Sequence, residues 1–127
     1  MRAACTAVLS MILLACASDV QRQPSVLTRH GDEASRPRLY SSTPIQLRLA
    51  TGYERTIPPN TEFVEVGRIR EGRVLRPLSY VLTVEGAHVH EAYLVVDGEH
   101  IVGFYLPVER AFSPNEKIKA VFREKGR

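Results

Sequence analysis

Cysteine is almost missing from this chain, and its two copies, Cys5 and Cys16, both fall within the first 16 of 127 residues. A disulfide framework is thereby excluded for everything downstream, so any folded domain must be held by its apolar core. Tryptophan is absent. No apolar run reaches the ~20 residues a membrane-crossing helix needs. Charge of one sign is also lacking: 17 Lys+Arg stand against 14 Asp+Glu. Residues 1–15 contain Arg2 and no acid, so the remainder carries 16 against 14. That small, dispersed excess argues against a nucleic-acid partner, which requires a clustered basic face.

Catalytic signatures are equally scarce. The chain holds no G-x-S-x-G, no thiol beyond Cys16, and no Ser, His and Asp order that would assemble a triad. Asp32-Glu33 is the one pair of adjacent acids, in a polar stretch with nothing to shift a pKa by burial. The glycines are scattered singly and form no phosphate-cradling loop. The expectation is a non-enzymatic chain without a cofactor.

What is present begins with an address. Arg2 precedes an apolar run from Ala7 to Ala15, broken only by Ser10. That length suits the apolar part of an export signal. The run ends in Leu13-Leu14-Ala15-Cys16, which resembles the lipobox of bacterial lipoproteins. The resemblance implies cleavage before Cys16 and acylation of Cys16, with residues 1–15 as the signal peptide. Each buried CH₂ adds about 0.8 kcal/mol, so two or three acyl chains anchor stably where one does not. Ala17 and Ser18 follow, with no Asp directly after the cysteine; by the sorting rule of enteric lipoproteins this resembles an outer-membrane address. Two other readings stay open. Ala15-Cys16-Ala17 is also an A-x-A site that would release a soluble protein beginning at Ser18, and the run could be a buried helix.

From Ala17 to Thr43 the chain is rich in Ser, Arg, Gln, Asp and Pro, with no sustained apolar period. Residues 16–43 are therefore expected to be a lipidated cysteine plus a disordered tether of roughly 25–30 Å. Residues 44–127 read as one β-rich domain, all-β, a small antiparallel sandwich or partly open barrel of six or seven short strands. Ile45, Leu47 and Leu49 alternate with polar residues. Phe63 to Ile69 predicts a strand with a bulge at Gly67, followed by a turn at Glu71-Gly72. The plainest signal is a hairpin: His90–Val96 and Glu99–Leu106 flank Asp97-Gly98, a dipeptide that favours a type I′ turn. Ser113-Pro114-Asn115 reads as a loop before a last strand from Lys117 to Phe122.

Two residue sets could carry function. His88 and His90 are spaced i, i+2, which on a strand places both imidazoles on one face as half of a Zn²⁺ or Cu²⁺ site. With Asp97-Gly98 as the turn, His90 would face Tyr105 and lie far from His100, leaving the third ligand unsupplied; a solvated strand end is the plainer reading. Arg68, Arg70, Arg73 and Arg76 form a basic stretch suited to phosphate or carboxylate recognition. Its plain counterpart is a solvated face balanced by Glu65 and Glu71. The sequence thus predicts an envelope lipoprotein whose β domain binds another envelope component, with lipid bilayer and an envelope protein as partners. A small-ligand or metal-binding domain built on His88 and His90 is the alternative.

Overall fold

The computed structural model describes residues 19–126, so Cys16 and the lipobox lie outside the described residues. Strands appear in chain order as β1 (Gln23–Pro24), β2 (Thr28–Arg29), β3 (Arg38–Tyr40), β4 (Ile45–Arg48), β5 (Glu54–Ile57), β6 (Glu62–Ile69) and β7 (Gly72–Pro77). They continue as β8 (Thr83–Glu85), β9 (Val89–Glu91), β10 (Tyr93–Asp97), β11 (His100–Leu106), β12 (Ala111–Lys119) and β13 (Arg123–Glu124). The only helical element among the described residues is a 3-10 turn, Glu33–Ser35, capped by the Asp32 carboxylate. The fold is all-β and antiparallel, as expected, with more and shorter strands than six or seven.

One large sheet runs β1-β12-β11-β10-β7-β6-β3-β13, with β2 also pairing on β6. Alternate residues send their side chains to opposite faces, and both faces are apolar. Phe63, Leu75, Leu94, Phe104 and Leu106 pack on one face against Ile45, Leu47 and Ile57 of the β4–β5 hairpin and Leu82 and Val84 at β8. Val64, Val66, Val74, Val95, Tyr105 and Phe112 pack on the other face with Leu27, Leu78 and Tyr93. Burial on both sides explains why the runs around residues 94–96 and 101–106 are nearly continuous rather than alternating.

The sheet is also rolled. Pro24 pairs with Ala111 of β12 and Thr28 with Arg68 of β6. The four Cα-to-Cα steps from Pro24 to Thr28 reach at most ~14 Å, yet β12 and β6 would stand ~19 Å apart in a flat sheet of this order. The sheet must therefore curl until its β12 and β6 sides approach, with Leu27 inside the curl. It does not close into a barrel, because β12 and β6 are bridged by residues 24–28 rather than paired.

That bridge corrects the expected tether. Of residues 17–43, those from 19 onward are folded: Val20, Leu39 and Ser41 are buried and β1, β2 and β3 are hydrogen-bonded into the sheet. The segment has no apolar period of its own because it borrows one, laying short pieces of backbone along edges already made. At Gly67 an added Cβ would collide with the carbonyl of Thr28, so the missing side chain is what lets β2 come in.

Turns shift by one residue. Asp97 pairs with His100, leaving Gly98-Glu99 as the loop, and Gly98 alone has positive φ, +59°. That is the pattern of a type II′ turn with glycine first, not the expected type I′ turn at Asp97-Gly98. Ile69 likewise pairs with Gly72, so the loop is Arg70-Glu71. The bulge near Gly67 is present, as a register shift between Glu65 and Gly67. Ser113-Pro114-Asn115 lies inside β12 rather than in a loop. Pro114 lies opposite Gly103 beside a second register shift, the kind of irregular position at which a strand admits proline.

Candidate functional site

The two histidines do not form a half-site. His88 sits in the bend between β8 and β9, exposed, and its carbonyl accepts a hydrogen bond from the Gly86 N–H at 3.0 Å. His90 is buried, and its Nδ1 lies 2.6 Å from Oε1 of Glu109. The strand that would have carried both begins only at Val89, and it pairs with β8 instead of extending the β10–β11 hairpin. The chain bends at Ala92, whose N–H donates to Leu82 O at 2.9 Å. Among the described residues no group of three His, Cys, Asp or Glu side chains is placed to hold a metal ion.

The partner of His90 is Glu109, which no local sequence pattern marks. Glu109 lies in the turn 107–110 between β11 and β12, next to Arg110, which has φ of +53°. Burial opposes ionisation of Glu109. Hydrogen bonds from His90 and its own backbone, and the charge of Arg22, more than offset this and hold its pKa below the ordinary carboxylate value. His90 Nε2 and Glu109 Oε2 are both shielded from solvent and have no hydrogen-bond partner among the described residues. A general base needs its second nitrogen within reach of a substrate or nucleophile. Here that nitrogen is shielded from solvent, and the pair acts as a strut joining β9 to the turn between β11 and β12.

The arginines of the 68–76 stretch are divided. Arg68 and Arg70 are exposed, whereas Arg73 Nε donates to Glu65 Oε1 at 2.8 Å and Arg76 donates to Glu33 Oε2 at 2.6 Å. Folding residues 19–43 onto the sheet brings in further cations. Arg36 reaches Glu65 at 3.1 Å, Arg38 reaches Glu62 at 3.0 Å, Lys125 pairs with Glu62, and Arg29 stands 3.9 Å from Glu33. Glu33, Glu62 and Glu65 thus serve two permanent cations each, six in all. His30 Nε2 lies a further 3.2 Å from Glu65. Hydrogen bonds from Lys125 and Arg38 hold the Glu62 carboxyl below its ordinary pKa.

Two adjoining open clefts are framed by this network. One, of about 690 Å³, is lined by residues 34–38 and 124–126; the other, of about 340 Å³, by Glu33, Arg36, Arg38, Val64, Arg76 and Leu78. Arg36 and Arg38 belong to both. The face expected as balanced therefore keeps an excess of cations: three carboxylates fix six cations in place, and Glu124 lines the larger cleft as a further acid. Sequence reading could not assemble this site, because four of its cations lie in stretches without pattern at the two ends of the chain. Charge density was the only available signal, and it pointed at Arg68, Arg70, Arg73 and Arg76, of which the last two belong to the network and the first two stand outside it. No protein-family model, curated protein or solved structure matches this chain.

Proposed function

We propose that the chain is the precursor of a bacterial envelope lipoprotein, anchored through an acylated Cys16, whose β domain is a non-catalytic binding module for another envelope component. The address rests on Leu13-Leu14-Ala15-Cys16 following a short apolar run. Ala17-Ser18 after the cysteine favours the outer membrane. The observation that carries the binding half is the set of six cations held by three carboxylates beside open clefts. Guanidinium groups already oriented by a carboxylate lose little side-chain freedom when an anionic group arrives, and their planar forks suit carboxylate or phosphate. The partner is an envelope protein presenting acidic groups to Arg36, Arg38 and Arg76.

Metabolic labelling with a clickable fatty acid, followed by membrane fractionation, tests the anchor. The wild-type chain is expected to take up label and sediment with membranes, and Cys16→Ser to do neither. A soluble, unlabelled product beginning at Ser18 would overturn the lipoprotein reading. For the binding half, a photo-crosslinking residue replacing Arg38 is expected to give one discrete adduct in cells. The same residue at Gln46 on the β4–β5 hairpin should give none. Equal crosslinking from both positions would remove the cleft as the docking site.

A further inference from the structure

The folded state of residues 19–43 changes where an acylated protein would sit. Val20 is only 4% exposed. The chain enters the fold with Asp19, Val20 and Gln21 beside Leu49–Thr51 of the β4–β5 turn and Ser113–Asn115 of β12. Asn115 staples those two together: its side chain accepts from the Ala50 N–H at 3.1 Å and donates to Arg48 O at 3.0 Å. Three residues separate Cys16 from Val20, and the four Cα-to-Cα steps span at most ~14 Å even fully extended. A coil from Cys16 to Thr43 would have let the domain tumble freely; this link cannot.

We infer that the β4–β5 turn and the neighbouring open edge of β12 rest against the lipid headgroups of the bilayer, so that the domain lies on the membrane in one orientation. The inference rests on acylation of Cys16. The surface around the entry point has the right character for prolonged contact with headgroups. Ala50, Gly52 and Tyr53 are exposed at the tip of the turn, Tyr53 by 46%. A tyrosine suits the membrane interface because its ring is apolar and its hydroxyl wet. Lys117 and Lys119 are exposed on β12, with long stems that let their charges stay in water above an apolar surface. Beyond its first two residues β12 has no strand on its outer side among the described residues, so nothing of the sheet stands between this edge and the bilayer. The charges nearby cancel: Arg48, Lys117 and Lys119 face Asp19, Glu54 and Glu116, with Arg48 and Glu54 paired at 3.2 Å. Contact is thus imposed by the length of the link and not by attraction to anionic lipid, and it should be the same on neutral vesicles.

The mature chain offers no thiol besides the acylated one, so single introduced cysteines can be labelled cleanly. Acylated Tyr53→Cys and Val108→Cys proteins, each carrying a fluorophore, would be placed in neutral phosphatidylcholine vesicles doped with a headgroup quencher. Val108 lies in the turn at the far end of β12 and is 75% exposed. Quenching at position 53 is expected to exceed that at 108 several-fold, in neutral and in anionic vesicles alike. Inserting a twenty-residue Gly/Ser linker between Ala17 and Ser18 should make the two positions equal. Equal quenching without the insert overturns the orientation while leaving the anchor intact. Quenching at 53 that appears only with anionic lipid overturns the argument from link length. If the anchor reading itself fails, the N-terminal peptide carries no acyl mass and neither protein partitions with vesicles. That outcome removes the orientation too and is recognisable by mass spectrometry before any fluorescence is read.

Discussion

Residues 19–43 and the β10–β11 hairpin end in the same sheet by opposite routes. The hairpin carries Leu94, Val95, Val96, Ile101, Phe104, Tyr105 and Leu106, all essentially buried, and would pair in any fold that could cover both its faces. The N-terminal segment buries Val20, Leu39 and Ser41 and otherwise exposes most of its residues. Its order comes from backbone hydrogen bonds to edges built by others: Ser25 N–H to Arg110 O and His30 N–H to Val66 O, both at 3.1 Å. Carboxylates of β6 then hold Arg36 and Arg38, and the segment's own Glu33 accepts from Arg76 of β7. A polar stretch is therefore disordered only when no finished edge waits for it. Composition describes the segment, while its order is decided by the rest of the molecule.

The widest separation between the two regions should appear in core truncations. Leu94→Ala empties a site at the centre of the sheet and should cost about 2–5 kcal/mol of global stability, read by denaturant unfolding. Leu27→Ala removes a side chain only partly buried at the rim of the second core, and should cost about 1 kcal/mol. Comparable losses would mean that the segment is as integral to the fold as the hairpin.

A second variant separates the regions within one molecule. Gly67→Ala places a methyl group against the Thr28 carbonyl, and overpacking of this kind typically costs about 1–3 kcal/mol. The easiest relief is for β2 to lift away. Hydrogen exchange should show the His30 amide losing protection while the amides of β10 and β11 keep theirs. Uniform loss across both would mean that the segment cannot open on its own.

These contrasts mark what could be read in advance. Hairpins were legible wherever apolar residues clustered around a glycine-bearing turn, as in β6–β7 and β10–β11. Their registers were off by one residue at the turn, and the irregularities at 95–96 in β10–β11 and 101–103 in β11–β12 carry no local sequence mark. The 19–43 segment was illegible for the reason given above. His88 and His90 shared a spacing but not a strand, because the bend at 86–88 ends β8 before His88 can join one. Glu109 could not be foreseen as the partner of His90: the two are 19 residues apart, and only the meeting of β9 with the β11–β12 turn joins them.

The strut between those residues gives a smaller effect. His90→Ala leaves the partly buried Glu109 carboxylate without its main donor and should cost about 1–3 kcal/mol, seen as a lower denaturation midpoint. Glu109→Gln keeps an acceptor for the imidazole and should cost less. If Gln costs as much as Ala, the charge of Glu109 rather than its hydrogen bond is what holds β9.

Acid should distinguish the two regions most gently. The Glu62 carboxyl is held below its ordinary value by Lys125 and Arg38, and Glu109 by His90 despite its burial. A carboxylate whose pKa is lower folded than unfolded contributes stability at pH above its unfolded value of about 4.3, and loses that contribution as pH falls through the folded value. Both groups therefore destabilise the protein on acidification. Glu62 fastens β3, through Arg38, and the C-terminal segment, through Lys125, to the start of β6. The central residues of β10 and β11 are held by apolar packing and backbone pairing, with no ion pair among the described residues. Amides of β3 and β13 should accordingly lose protection at a higher pH than those of β10 and β11 as the solution is acidified from neutral. Glu62→Gln should erase most of that difference by loosening β3 and β13 at every pH. Should the strands of both regions lose protection together in the wild type, the ion pairs are ornaments on a single cooperative sheet, and the distinction between built edge and borrowed edge is kinetic at most.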